Sequence, residues 1–426
     1  MLESRFTRSL LCACAWLAVA LPAAAQSLTL PQALQEARAN LDVAIARGGL
    51  EAARADILAA NHAPLPVLSA KVSSIDLQHG IGAGPLLTRK RLDKGVGLDW
   101  TWERGDKRAL RTRAAHEAVG AAQEDLQDVV VQQLLATQGG FYDLLAAQQK
   151  LELMQALVGD ARQLADTAGR RVRAGDLARQ DANRIEIEAE RVRADALAAE
   201  LDRQRAALVL AQLVGRMPQA ERLAVEGGWP TPPAPGDADL ALLLEGRADV
   251  RAAQARVRAA QAAVDGARAL RRSNVTVGAS FDHYPGTSNR LVELRAQMPL
   301  TWGYDYQGEI GRALAQLRQA EDQLEKTRRS AAADLRRLQL EAATALARAR
   351  HYETDVLPRA REVAQSAEIA YQKGALPLTD LLDARRTLRA TLLDALGTRV
   401  DAAKAAAAWQ LRAQPLPPEF IAQRLP

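Results

Sequence analysis

The chain is 426 residues long, 4% aromatic and 25% charged, with a formal net charge of +5 at pH 7. Ala, Arg, Leu and Gln dominate, a bias of long helices or coiled coils and not of a compact enzyme. Basic and acidic residues alternate along most of its length, which describes solvated helix faces and excludes a nucleic-acid-binding patch.

The N-terminus reads as a secretory signal peptide over 1–25. Arg5 and Arg8 precede an apolar run over 10–21, and Ala23-Ala24-Ala25 supplies the small-residue cleavage site. That run is too short to cross a bilayer as a helix. The stretch before Cys14 is also too short for lipoprotein processing, so cleavage is expected after Ala25. Both cysteines, Cys12 and Cys14, leave with it, and the mature chain is expected to have neither disulfides nor thiolate metal sites. Beyond Gln26 no apolar stretch approaches the roughly 18–20 residues of a membrane-spanning helix. The exported chain is therefore periplasmic, secreted or inserted as strands.

The first predicted helix covers 31–60, with Pro31 suited to its first turn. Extended segments follow at 65–75 and 94–102, joined by a loop with Gly80, Gly82, Gly84 and Pro85. A proline-free helical stretch then runs over 106–173, on the order of 100 Å at 1.5 Å per residue. Gly175 breaks it, and a return helix covers 178–213.

The order then recurs: helix 240–270, strands 274–283 and 290–302, helix 308–371, a break at Gly374 and helix 378–411. Pro358 is expected to kink or interrupt the longer helix. The halves match residue by residue at several points. Leu41-Asp42-Val43-Ala44 pairs with Ala248-Asp249-Val250-Arg251, and the segment ending at Trp102 pairs with that ending at Trp302. Arg173-Ala174-Gly175 pairs with Gln372-Lys373-Gly374, and Asp181 with Asp380. The mature chain therefore divides into a first structural repeat (26–217), a Pro/Gly-rich connector (218–239), a second repeat (240–413) and a C-terminal tail (414–426).

The extended segments carry the functional signal. Val96, Leu98, Trp100 and Trp102 alternate with Gly95, Gly97, Asp99 and Thr101, and Val275, Val277, Ala279 and Phe281 with Thr276, Gly278, Ser280 and Asp282. Val292, Leu294, Ala296 and Met298 alternate in the same way with Glu293, Arg295 and Gln297, and Leu68, Ala70 and Val72 with Ser69 and Lys71. About 9–11 residues, apolar on one face and polar on the other, suit a strand in an outer membrane. Trp100, Trp102 and Trp302 would then form an interfacial aromatic girdle. A soluble hairpin against a helix shows the same alternation, but two such hairpins in an exported chain favour the membrane. Four strands cannot close a barrel, and an open edge in lipid leaves backbone groups unsatisfied, so the chain must oligomerise.

These features together resemble the TolC family of outer-membrane efflux proteins over nearly the whole mature chain. The tip pattern Tyr371-Gln372-Lys373-Gly374 with Asp380-Leu381-Leu382-Asp383-Ala384 is the most specific part of the resemblance. It implies a mainly α fold with a small membrane β part. Duplicated long helical hairpins would form a trimeric α-barrel, and four strands per chain would enter a shared 12-stranded β-barrel. It also implies a homotrimer in outer-membrane lipid, a periplasmic adaptor, and an inner-membrane pump of the RND type. The segment Trp102-Glu103-Arg104-Gly105-Asp106-Lys107-Arg108 and Val356-Leu357-Pro358 are most similar to the heavy-metal (cobalt–zinc–cadmium) resistance branch.

By resemblance, Asp380, Asp383, Asp181 and Tyr371 line or close the periplasmic aperture, with Gly175 and Gly374 as the helix-tip breaks. Arg184, Arg385 and Arg386 are the expected ion-pair partners there. A plainer account makes Asp181 and Asp380 caps of helices restarting after glycine. The family often has a basic or polar residue after the second glycine, where this chain has Ala375 and Leu376. The five histidines are scattered without metal-ligand spacing, and no catalytic or nucleotide-binding motif occurs, so neither an enzyme nor a cofactor is expected. The rival reading is a periplasmic adaptor or coiled-coil scaffold without a pore.

Overall fold

The computed structural model describes residues 27–85, 91–230 and 239–413. The expected signal peptide, the C-terminal tail and residues 231–238 of the connector lie outside the described residues.

A two-residue strand β1 (Ser27–Leu28) leads into α1 (Leu30–Ala37) and α2 (Leu41–Ala60). The expected single helix over 31–60 is thus broken. Asn40 adopts extended geometry and its side-chain oxygen accepts from the Asp42 N–H at 2.9 Å, capping α2. Its amide donates to the Leu213 carbonyl at 3.0 Å, so the break fastens this segment to the end of the first hairpin. Strands β2 (Val67–Ser73) and β3 (Asp93–Trp102) follow. The helix α3 (Lys107–Ala174) has 68 residues, and α4 (Arg179–Val214) returns along it. Past a 3₁₀ turn at Met217–Arg222, β4 (Ala224–Val225) pairs in parallel with β1.

The second half has α5 (Leu240–Gly246), α6 (Ala248–Ala269), β5 (Val275–Tyr284), β6 (Ser288–Gln297), α7 (Gln307–His351), α8 (Leu357–Gln372) and α9 (Leu378–Ala413). Here too the expected helix over 240–270 is interrupted, at extended Arg247. Its buried guanidinium donates to Asp249 on α6 at 2.8 and 3.0 Å and to Asp334 on α7 at 2.9 Å. Pro358 acts as expected: a π turn over Tyr352–Val356 absorbs its missing N–H and α8 begins beside it. Strand β6 stops at Gln297 instead of reaching Trp302, because its partner β5 begins at Val275 and Pro299 has no N–H to donate. Trp302 stands beyond the strand and is 87% exposed.

The sheet order is β2-β3-β5-β6, all antiparallel, which leaves β2 and β6 as edges. Each half joins sheet to long helix through the same joint. Gly105 and Asp106 have φ of 79° and 57°, and Gly303 and Tyr306 have 82° and 56°. The main core lies where β1 and β4 cross the first hairpin, around Leu28, Phe141, Leu144, Leu210 and Val225. Elsewhere the long helices meet largely through alanine: Ala199, Ala207 and Ala211 of α4 are wholly buried. Small residues let long helices lie close.

Candidate functional site

The four-stranded sheet has two chemically distinct faces. Register places Leu68 opposite Leu98, Val96 opposite Phe281, Trp100 opposite Val277, and Phe281 opposite Val292. The alternation of each strand therefore merges into one apolar surface four strands wide. That surface is bare: Leu294 is 82% exposed, and Leu68, Val96, Trp100, Trp102 and Val292 are all exposed. A contiguous exposed apolar face of this kind marks a membrane or protein interaction surface.

The opposite face is polar and organised by glycine. Asp99 stands opposite Gly278, which stands opposite Arg295. With no Cβ between them, Arg295 reaches two strands across and donates to Asp99 at 2.6 and 2.7 Å. Asp282 lies over Gly95 and accepts from Ser280 at 2.6 Å, and Ser69 lies over Gly97. The Thr101 and Thr276 hydroxyls are 2.9 Å apart. Sequence reading missed this arrangement, although glycines at alternate positions beside aspartate, as in Gly95-Val96-Gly97-Leu98-Asp99, were its visible signal.

The other candidate region is the helix tips. Gly175 and Gly374 both have left-handed φ, 83° and 74°, and each ends a long helix. The two tips pack together through Ala168, Ile185, Leu378, Leu381 and Leu382, with Tyr371 and Leu376 against them. The departure at Leu376 thus has a physical use: an apolar side chain enters this cluster. Asp380 and Asp383 are exposed, and Asp181 is half-buried, with Arg184 at 3.8 Å. Asp181 and Asp380 each lie in the first turn of their helix, α4 and α9, where a negative charge is favoured by the helix dipole. Asp181 is not the N-cap; that position is Ala178.

The two expected pairs from α9 are redistributed. Arg385 pairs with Glu368 of α8, and Arg386 with Glu188 of α4 at 2.7 Å, in place of the tip aspartates. Arg389 approaches Glu188 at 3.6 Å and Asp195 at 3.4 Å. Glu188 is the tie between the hairpins. Burial pushes its carboxyl up, but the Arg386 hydrogen bond and the charges of Arg386 and Arg389 outweigh that and hold it below the ordinary value. Beside these pairs a cleft of about 320 Å³, lined by Leu164, Ile185, Val192 and Leu382, opens between the two hairpins. Among the described residues no group of His, Cys, Asp and Glu could hold a metal ion, and no helix is long and apolar enough to cross a membrane.

Comparison with known proteins gives matching results. Residues 30–216 and 240–412 match the family described as "Outer membrane efflux protein". The cobalt-zinc-cadmium resistance protein CzcC of Cupriavidus metallidurans is 27% identical over 387 residues, 89% of either chain. Among solved structures, a membrane protein from Pseudomonas aeruginosa superposes with a TM-score of 0.77 at 18% identity, covering 90% of this chain and 93% of that one. The outer membrane protein VceC of Vibrio cholerae does so at 0.75 and 19%, covering 90% and 96%.

Proposed function

The chain belongs to the outer membrane efflux protein family, and from that premise we propose that three copies close into one continuous passive duct carrying divalent heavy-metal cations out of the cell. It is an outer-membrane channel extending into the periplasm, as the expected family resemblance implied; the rival adaptor reading is set aside by the same matches.

The bare apolar sheet with two unpaired edges carries the oligomer. In lipid each edge must find hydrogen-bond partners, and edge β2 of one copy can take edge β6 of the next. Three copies would give a barrel of about twelve strands, polar face inward and apolar face to lipid. Residues 298–302 would then gain a partner, and Trp302 would join Trp100 and Trp102 in an interfacial girdle. The two family matches support the division into repeats at 26–217 and 240–413 about the connector at 218–239.

A periplasmic adaptor, and through it an inner-membrane pump of the RND type, would engage the helix tips. The cleft beside Glu188 and Arg386 offers apolar surface with a charged rim. Asp380, Asp383 and Asp181, repeated in three copies, would ring the aperture near Tyr371 and the Gly175 and Gly374 breaks, favouring cations. The cargo reading rests on the relative named for cobalt, zinc and cadmium resistance. The chain's own residues supply a path and no catalytic chemistry.

Deleting the chain from its host tests the cargo. Zinc, cobalt or cadmium accumulation should rise, with tolerance restored by the wild-type chain. Unchanged metal content, with sensitivity to organic drugs instead, would reassign the cargo and leave the duct standing.

A further inference from the structure

The two joints between sheet and long helix share a backbone path but not a chemistry. Each turns at a left-handed glycine and a second left-handed residue, Gly105 with Asp106 and Gly303 with Tyr306. The second joint does so through Tyr304, Asp305, Tyr306 and Gln307, none of them basic. The first does so within Arg104-Gly105-Asp106-Lys107-Arg108. The turn itself therefore needs no cations, and their presence at one joint has a separate cause.

These cations line a cavity of about 820 Å³ where α3 starts between α2 and α6. Arg104, Arg108, Arg113 and Arg272 all border it, and all four are exposed. Gly105 makes room for the last of them, since a Cβ there would meet Arg272 Cδ at 3.0 Å. Among the described residues the guanidinium groups of Arg113 and Arg272 have neither an ion pair nor a hydrogen bond. Arg108 uses Nε alone, on Asn61 at 2.9 Å, and Arg104 rests on the Met298 sulfur at 3.7 Å. Lys107 adds its charge while donating to the Arg272 carbonyl and to Asn274, at 2.6 Å each. The carboxylates around the cavity are mostly committed: Arg111 holds Glu103 and Arg258 holds Glu117, both at 2.7 Å. Asp106 is left to face five cations.

The cavity also borders the apolar face of the sheet. Trp102, which lines it, closes that face on β3, and Met298 continues the apolar parity of β6. It lies below the central strands β3 and β5, so copies joining at the edges β2 and β6 leave it open. The long helices leave the sheet at this rim towards the periplasm, which sets the cavity level with the headgroups of the periplasmic leaflet. We propose that it holds the phosphate of an anionic glycerophospholipid of that leaflet, one per chain, with the acyl chains along Trp102 and Met298. The inference rests on the outer-membrane channel reading. Guanidinium groups suit this ligand, because their planar fork meets two phosphate oxygens at once and keeps its charge at any working pH. Basic pockets beside membrane-spanning elements take lipid headgroups in this way, and interfacial tryptophan fixes the depth. Free phosphate would meet the same guanidinium groups without the apolar wall.

The test is native mass spectrometry of the detergent-purified oligomer with added phosphatidylglycerol or diacylglycerol of the same acyl chains. The wild type should retain the phosphatidylglycerol about tenfold better, and R113Q/R272Q should lose that preference. The variant R162Q/R179Q removes equal charge from exposed positions on the first hairpin and should keep it. If R113Q/R272Q fails to assemble, R113Q alone should weaken retention, since no contact within the chain depends on that guanidinium. Equal retention of both lipids, an unchanged preference in the assembled cavity variants, an equal loss in R162Q/R179Q, or displacement by equimolar inorganic phosphate would overturn the proposal. The mass of the oligomer in the same spectra checks the channel reading separately: an intact oligomer without lipid preference sinks the site alone.

Discussion

Asp99 and Arg295 are joined by two hydrogen bonds of 2.6 and 2.7 Å although a whole strand, β5, lies between theirs. Gly278 makes this possible, since a Cβ there would meet the Asp99 carboxylate inside van der Waals distance. Gly278→Ala should therefore force the pair apart and lower the oligomer's thermal stability by about 1–3 kcal/mol, as overpacking does. Adding Asp99→Ser should recover part of that loss. Thermal dissociation followed by circular dichroism measures both, and an unaffected single variant would show that the pair bends aside freely.

The tie between the hairpins titrates. Arg386 holds the Glu188 carboxyl below its ordinary value of 4.5, so the contribution is present above that value and is lost as pH falls through the depressed one. Exposure of Arg386 limits it to about 1 kcal/mol. Glu188→Gln should loosen the tips at neutral pH and remove the acid-induced change in their hydrogen exchange below pH 4.5. Exchange that still rises on acidification in the variant would locate the sensitive group elsewhere.

Arg247 is 8% exposed and holds two carboxylates, Asp249 and Asp334, on different helices. Burial pushes the Asp249 carboxyl up, but its bonds from Arg247 bring it below the ordinary value. Arg247→Met would strand Asp249 and leave Asp334 to Arg337 alone, at about 3–5 kcal/mol. Asp249→Asn with Asp334→Asn in the same chain should restore most of the loss. Denaturant midpoints decide it.

Asp380 and Asp383 are exposed and pair with neither Arg385 nor Arg386, which leaves their charge available for the proposed aperture. Replacing both with Ala should reduce cation selectivity and block by multivalent cations in planar bilayers. Identical selectivity and block would remove them from the conduction path.

The strands were legible because lipid imposes a strict period of two, and one face stays apolar without help from the rest of the fold. The glycine tips were legible for the same local reason: a left-handed residue has to end each helix, and Gly175 and Gly374 do so. The breaks at Asn40 and Arg247 were not, since helical periodicity continues through both and only tertiary partners, Leu213 and Asp334, draw them out. The end of β6 at Gln297 depends on where β5 begins, which pairing decides. Of the expected tip ion pairs Arg184 with Asp181 is present, and the two from α9 are not, for a similar reason. Arg385 and Arg386 are near the aspartates in sequence, yet Glu368 and Glu188 reach them from neighbouring helices.

The central claim is that a sheet with two free edges is completed by copies of itself. Light scattering of the detergent-extracted protein, corrected for bound detergent, measures the number of chains directly. Three chains per particle, extracted only with detergent and conducting when reconstituted, is the predicted result. A monomer that stays soluble without detergent would contradict it.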